Sequence, residues 1–155
     1  MIPDELRNFP EASQLEEQDP SVLAGGQFDR GELTLEVSRA KLEAACRWFR
    51  GRGYNLLSSI TATDLHPIEP RFRVVYHLYA IAEHKPLRLA VRVGGADPRL
   101  ESMIPVWPAA NWYERELFDL FGIRFDGHPN LKRIMLPDDW EGHPLRKDYP
   151  TEGIR

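Results

Sequence analysis

Residues 54–93 read YNLLSSITATDLHPIEPRFRVVYHLYAIAEHKPLRLAVRV, and their pattern decides the fold. β-branched and aromatic residues crowd three runs, Tyr54–Thr63, Arg71–Ala82 and Leu87–Val93, which predicts three strands. The stretch from Asp64 to Pro70 is the turn between the first two, and His84-Lys85-Pro86 is a tight connection between the last two. Strands joined this closely pair as antiparallel neighbours or sit in a mixed sheet, because a parallel crossover needs a much longer connection.

Upstream, Gly51 and Gly53 stop a helix predicted from Arg39 to Arg50, with Ser38 as its N-cap and Leu42, Ala45, Cys46 and Phe49 on one stripe. Before it, Glu32–Val37 alternates polar and apolar, the period of a half-buried strand. One helix between a first strand and three sequential strands predicts an α+β fold, a mixed or antiparallel sheet with helices on one face. Residues 1–30 read as a polar leader with a short helix around Pro10–Gln18. Residues 1–20 hold six acids and one base, so a net charge of −4 overall leaves the remaining chain at +1. A near-neutral body gives no electrostatic footprint for nucleic acid.

Downstream of Gly94-Gly95, a short helix is predicted over Pro98–Ile104 and a longer one over Ala109–Phe121. The second carries Tyr113, Leu117, Leu120 and Phe121 on one side and Glu114, Arg115 and Asp119 mostly elsewhere, with Gly122 and Ile123 placed to cap it. Beyond Phe125 the periodicity ends. Residues 126–155 are rich in proline and charge yet keep Leu131, Ile134, Met135, Leu136, Trp140 and Tyr149, a composition suited to lying on another surface. The expected organisation is an acidic leader (1–30), an α+β globular domain (31–125) and an extended, irregular partner-binding tail (126–155).

The residue inventory points away from a self-contained active site. The longest mainly apolar run, Val74–Ala82, is too short for a membrane helix, and the N-terminal residues lack the apolar core of a secretory signal. A lone cysteine, Cys46, excludes an internal disulfide and a cysteine-ligated cluster. His66, His77, His84, His128 and His143 show no metal-ligand spacing. Ser58-Ser59 lacks a nucleophile-elbow context, and neither glycine pair has phosphate-loop spacing. Glu114, Glu116 and Asp119 beside Arg115 can be read as an acid–base cluster, but a solvated or partner-facing helix surface is the favoured reading. Trp48, Phe49 and Trp112 read as core. Lys132-Arg133 and Arg146-Lys147-Asp148 are weak anion-binding signals.

The run Glu114-Arg115-Glu116-Leu117-Phe118-Asp119-Leu120-Phe121-Gly122-Ile123, followed by His128, Lys132-Arg133 and Ile134-Met135, resembles the signature of the 30 kDa subunit family of NADH–quinone oxidoreductase, respiratory complex I. Its Glu-Arg-Glu, acid, hydrophobic pair, histidine, basic residue and aliphatic pair are all filled, and Trp140 through Pro150 resembles the family's continuation. The resemblance implies a non-redox structural subunit of the peripheral arm, with no catalytic, cofactor or metal site of its own. It implies docking on the homologue of the complex's quinone-site subunit, on the cytoplasmic side of a bacterial inner or thylakoid-type membrane. FMN, iron–sulfur clusters and quinone would belong to partner subunits.

On this reading Glu114, Arg115, Glu116 and Asp119 make charge-assisted bonds that fix register within the chain or to the partner. The tail wraps the partner through Leu131, Ile134, Leu136, Trp140 and Tyr149, with Lys132, Arg133, Arg146 and Lys147 at polar rims; Asp148 and His128 complete the expected contacts. A free tail would be shapeless and protease-sensitive. Two alternatives stand beside it. One is the equivalent chain of a membrane-bound hydrogenase or a ferredoxin-linked plastoquinone oxidoreductase; the other is a stand-alone hydrolase or isomerase using Glu116, Asp119 and His128.

Overall fold

The structure is a computed structural model and describes residues 3–152. Its strands are β1 (Leu23–Asp29), β2 (Glu32–Val37), β3 (Leu56–Asp64), β4 (Phe72–Ala80), β5 (Lys85–Val93), β6 (Arg99–Glu101) and β7 (Arg124–Asp126). Its helices are α1 (Pro10–Gln18), α2 (Leu42–Gly51) and α3 (Ala110–Phe121). Five strands form one sheet in the order β1-β2-β5-β4-β3, and β6 pairs with β7 in a second sheet. β1 is antiparallel to β2 while β2 is parallel to β5, so the larger sheet is mixed and the fold is α+β. No helix among the described residues is long and apolar enough to cross a membrane.

The chain divides into two compact units, residues 1–59 with 75–91 and residues 60–74 with 92–155. In the first, residues read as a leader take on structure. A 3-10 turn at Asp4–Asn8 and helix α1 bury Leu6, Ala12 and Leu15, and β1 joins β2 through Arg30 and Gly31, whose φ angles of 51° and 82° make the left-handed two-residue turn that suits strand twist. The α2 stripe Leu42, Ala45, Cys46 and Phe49 is buried, as its spacing predicts. Its start differs from expectation: a 3-10 turn at Arg39–Lys41 precedes α2, and the Ser38 side chain makes no capping bond.

In the second unit the helix predicted over Pro98–Ile104 is absent. Leu100, Met103 and Ile104 have helical spacing, but tertiary pairing overrides it. Arg99–Glu101 lies parallel to Arg124–Asp126, the Arg124 N–H bonds the Pro98 carbonyl at 2.8 Å, and Leu100 and Phe125 are buried. Helix α3 ends as predicted, on Gly122 at φ 74°, with Ile123 buried and its N–H returning to the Leu117 carbonyl. Trp112, read as core, is instead 58% exposed, with the Arg115 guanidinium 5.5 Å over its ring. Residues 127–152 form no helix or strand.

Candidate functional site

The candidate residues converge where α3 meets the C-terminal segment of the second unit. Asp119 is the centre, and it is fully buried, not on a solvated face. One carboxylate oxygen, Oδ2, accepts three consecutive backbone N–H groups, from Ile134 (3.0 Å), Met135 (2.8 Å) and Leu136 (2.9 Å). Such a run of aligned N–H groups is a nest, the backbone's own anion site. The other oxygen accepts Arg133 Nη1 at 2.7 Å, and the same nitrogen reaches the Asp119 carbonyl at 3.1 Å. Arg133 Nη2 goes on to the carbonyls of Trp140 (2.8 Å) and Gly142 (3.0 Å). Burial alone would raise the Asp119 pKa; Arg133 and the three N–H groups outweigh it and hold the carboxyl below its usual range.

The rest of the tail is fastened around this centre. His143 Nδ1 lies 2.9 Å from the Asp119 carbonyl, which can only accept, so Nδ1 carries the proton; burial lowers the pKa of this ring. Arg146 Nε donates to the Phe121 carbonyl at 2.6 Å, and its guanidinium lies 5.5 Å over Phe72. A Cβ on Gly122 would come within 2.7 Å of His143 and Arg146, so this glycine serves both the helix end and the approach of the tail. Arg115 Nε and Nη2 donate to the carbonyls of Lys132 (3.2 Å) and Arg133 (3.0 Å).

A second clamp holds the far end. Asp64 and Arg71 bracket the turn that carries cis bonds before Pro67 and Pro70, and they pair bidentately at 2.9 and 2.8 Å. Arg71 turns its remaining edge to Asp148 at 3.0 and 2.7 Å, while Asp64 Oδ2 also accepts the Lys147 N–H at 2.8 Å. The hydrogen bonds from Arg71 hold the Asp64 carboxyl far below the ordinary carboxylate range, and its two aspartates raise Arg71 in turn. Tyr149 closes the segment, donating its N–H to the Arg146 carbonyl at 3.1 Å and its hydroxyl to the Glu141 carbonyl at 3.5 Å.

Glu114 stands apart from this network. It is fully buried, and the donors that reach it are neutral: Ser102 Oγ at 2.7 Å and the Met103 N–H at 2.6 Å. Burial pushes its pKa up from 4.5 to about 7, against the pull of these two bonds. The expectation of a solvated or partner-facing acidic face therefore fails at Glu114 and Asp119, which turn inward; Glu116 is half-buried on α3. His128 is spent on local structure, its Nε2 donating to the Asn111 carbonyl at 3.3 Å and its Nδ1 accepting the Asn130 N–H at 3.0 Å. The acid–base reading of Glu116, Asp119 and His128 thus finds two of its three groups occupied by backbone and Arg133.

The tail read as shapeless when free is pinned because two buried carboxylates need its donors. Outward it presents Ile134, Met135 (64% exposed), Trp140 and Leu145. Lys132 and Lys147 are exposed at their sides. Sequence reasoning misses Asp64, Arg71, Ser102 and His143. His143-Pro144 and the Asp64–Pro70 turn are visible as local features, but no periodicity links Asp64 to Lys147 across the chain. Among the described residues, no group of three or more His, Cys, Asp or Glu is placed to hold a metal.

Fold and site together define an α+β protein whose signature helix pins an irregular C-terminal strap. The chain belongs to the family of the respiratory-chain NADH dehydrogenase 30 kDa subunit, which matches residues 35–155, well upstream of the signature. This makes it a subunit of an NADH:quinone oxidoreductase-type complex. A Geobacter sulfurreducens protein named as an NADH-quinone oxidoreductase subunit is 49% identical over 135 residues, 86% of this chain and 83% of that protein. Its namesake in Roseiflexus castenholzii is 42% identical over 148 residues, 94% of this chain and 85% of the relative. Among solved structures, a trypsin-resistant fragment of Nqo5 superposes with a TM-score of 0.69 at 32% identity, over 77% of this chain and 98% of the fragment. A chain of the membrane-bound sulfane sulfur reductase, an archaeal respiratory membrane complex, superposes with a TM-score of 0.78 at 28% identity, over 90% of this chain and 84% of that one.

Proposed function

We propose that this chain is a non-redox structural subunit of the peripheral arm of a proton-translocating NADH:quinone oxidoreductase, docking on the quinone-site subunit near the quinone pocket. The observation that carries the reading is the use made of the signature. Asp119 and Arg133 are consumed in holding the tail, and the held tail turns Ile134, Met135, Trp140 and Leu145 outward. Large apolar side chains held on a pinned backbone make an anchor surface at little ordering cost. Lys132, Arg133, Arg146, Lys147, Asp148 and Tyr149 act in this reading as fasteners or rim. FMN, iron–sulfur clusters and quinone lie on other subunits, and the complex faces the cytoplasm. The test is purification of a tagged chain from its native membranes in mild detergent, with mass spectrometry and an NADH:quinone assay on the eluate. Co-purification of a quinone-site subunit with flavin and iron–sulfur subunits, plus activity, is expected; a chain recovered alone overturns the proposal.

A second reading is favoured by the match to the sulfane sulfur reductase chain: the equivalent subunit of a sister complex, such as a membrane-bound hydrogenase or a ferredoxin-linked oxidoreductase. The same purification separates the two, since the sister complex brings down the corresponding partner without NADH-oxidising activity.

A further inference from the structure

In the second unit, Gly122 is the floor of a niche between two side chains of the tail. The point that a Cβ on Gly122 would occupy lies 2.7 Å from His143 Nε2 and 2.7 Å from Arg146 Nη2. The two nitrogens are therefore no more than twice that distance apart, near enough for one oxygen to touch both. Each is aimed by a bond made elsewhere on its own group. His143 Nδ1 is taken by the Asp119 carbonyl, and the ring edge with Nε2 and Cδ2 faces Gly122. Arg146 Nε is taken by the Phe121 carbonyl, and its guanidinium lies 5.5 Å over Phe72. Among the described residues neither His143 Nε2 nor Arg146 Nη2 has a hydrogen-bond partner, and neither is sealed from solvent.

The acids around this niche are already engaged. Asp119 pairs with Arg133, and Asp64 and Asp148 pair with Arg71, so Arg146 is a part-buried cation with no carboxylate in ion-pair contact among the described residues. Burial and Arg71 lower its pKa against the pull of Asp148 and Asp64, the reverse of the rise at Arg71. A guanidinium held through Nε keeps its Nη edge for an anion, and a pinned one loses little side-chain freedom on binding. We propose that the Gly122 corner is a carboxylate site, in which Arg146 donates through Nη2 and His143 takes a proton from solvent to donate through Nε2. The site does not depend on the docking proposed above; its carboxylate is either a free small molecule or an Asp or Glu side chain of a neighbouring protein. In the chain alone, burial lowers the His143 pKa; the bond to the Asp119 carbonyl and the Asp119 charge oppose this, while Arg146 and Arg133 add to it. The ring is thus neutral above its ordinary range, and the anion has to bring the proton in.

The test titrates the full ¹⁵N-labelled chain with sodium acetate at pH 8 and pH 6, against acetamide and against sodium chloride at matched ionic strength. The Gly122 N–H and Arg146 Nε–H resonances should shift saturably with acetate alone, with an affinity about tenfold higher at pH 6. R146K, which keeps the charge and loses the fork, should weaken acetate about tenfold; H143Q should keep part of the binding and lose its pH dependence. No saturation, the same shifts with acetamide or chloride, or equal affinity at both pH values overturns the proposal. A second measurement needs no variant. Diethyl pyrocarbonate modifies an unprotonated, unbonded imidazole nitrogen, so acetate should slow modification of His143 saturably. Mass spectrometry reads this on the tryptic fragment 134–146, in which His143 is the single histidine, and a rate indifferent to acetate overturns the proposal. The same reagent separates the sources once acetate is seen to bind. Slow modification in the complex purified without acetate identifies a neighbour's side chain, and a rate equal to that of the isolated chain identifies a small molecule. A chain that purifies alone ends the docking reading, while the acetate titration still decides the site.

Discussion

Glu114 and Asp119 sit on the same helix and are equally buried, yet their environments drive them apart. Asp119 has a guanidinium and three N–H groups; Glu114 has a hydroxyl and one N–H. The consequence for Glu114 follows from linkage. With a folded pKa of about 7 against 4.5 for the exposed group, the unfolded chain loses its proton first as pH rises, so ionisation favours unfolding. Stability should fall between these two values by up to about 3 kcal/mol, and E114Q should flatten that slope. Urea denaturation of both proteins at pH 5 and pH 8 measures it; parallel slopes would contradict the assignment. Asp119 behaves oppositely. Replacing it by Asn leaves Arg133 partly stranded and weakens the nest, a change expected to cost about 3–5 kcal/mol as for other broken buried pairs. The same urea curves measure this loss, and a change below about 1 kcal/mol would mean that the pair carries little of the fold.

At the scale of elements, the central strands, α2 and α3 are legible because their periodicity and their stops are local. Gly51, Gly53 and Gly122 end their helices without help from distant residues. The stretch Pro98–Ile104 misleads for the converse reason: its helical spacing is real, but the partner strand Arg124–Asp126 lies beyond any sequence window. The signature is visible as a string of residues, while its inward direction is not, because a charged helix face looks the same in sequence whether it meets solvent or a nest of N–H groups. The tail's apparent shapelessness has the same origin, since its order comes from Asp119, Asp64 and Gly122. That last residue gives the sharpest element-scale test. G122A puts a side chain at φ 74° and within 2.7 Å of His143 and Arg146, so it combines a left-handed penalty of about 1–2 kcal/mol with a steric push on the tail. Limited trypsin digestion should then cut after Lys132, Arg133 and Lys147 well before the rest of the chain. Equal resistance in wild type and G122A would mean that the tail is not held through this corner.

Across the whole molecule, the depressed carboxyls and the raised one set opposite limits. Asp64 and Asp119 contribute stability that is present above the ordinary aspartate pKa of 3.8 and is lost as pH falls below it, whereas Glu114 withdraws stability as pH climbs toward about 7. The part-buried His143 ring, whose pKa burial lowers from 6.5, also withdraws stability as pH falls below that value and so opposes Glu114 in the mildly acid range. The fastening of the tail through Asp64 and Asp119 is an acid-labile property. In the proposed docking, fastening and partner contact are separable, because the side chains that fasten point inward and those of Met135 and Trp140 are exposed. M135D combined with W140S should leave the urea midpoint of the isolated chain nearly unchanged, as surface substitutions usually do, while removing the quinone-site subunit from the mild-detergent eluate. D119N should lose both stability and partner. If the double surface variant still brought down its partner at full yield, the outward side of the tail would not be the docking face, and the exposed Trp112 and Ile68 of the same unit would become the residues to change next.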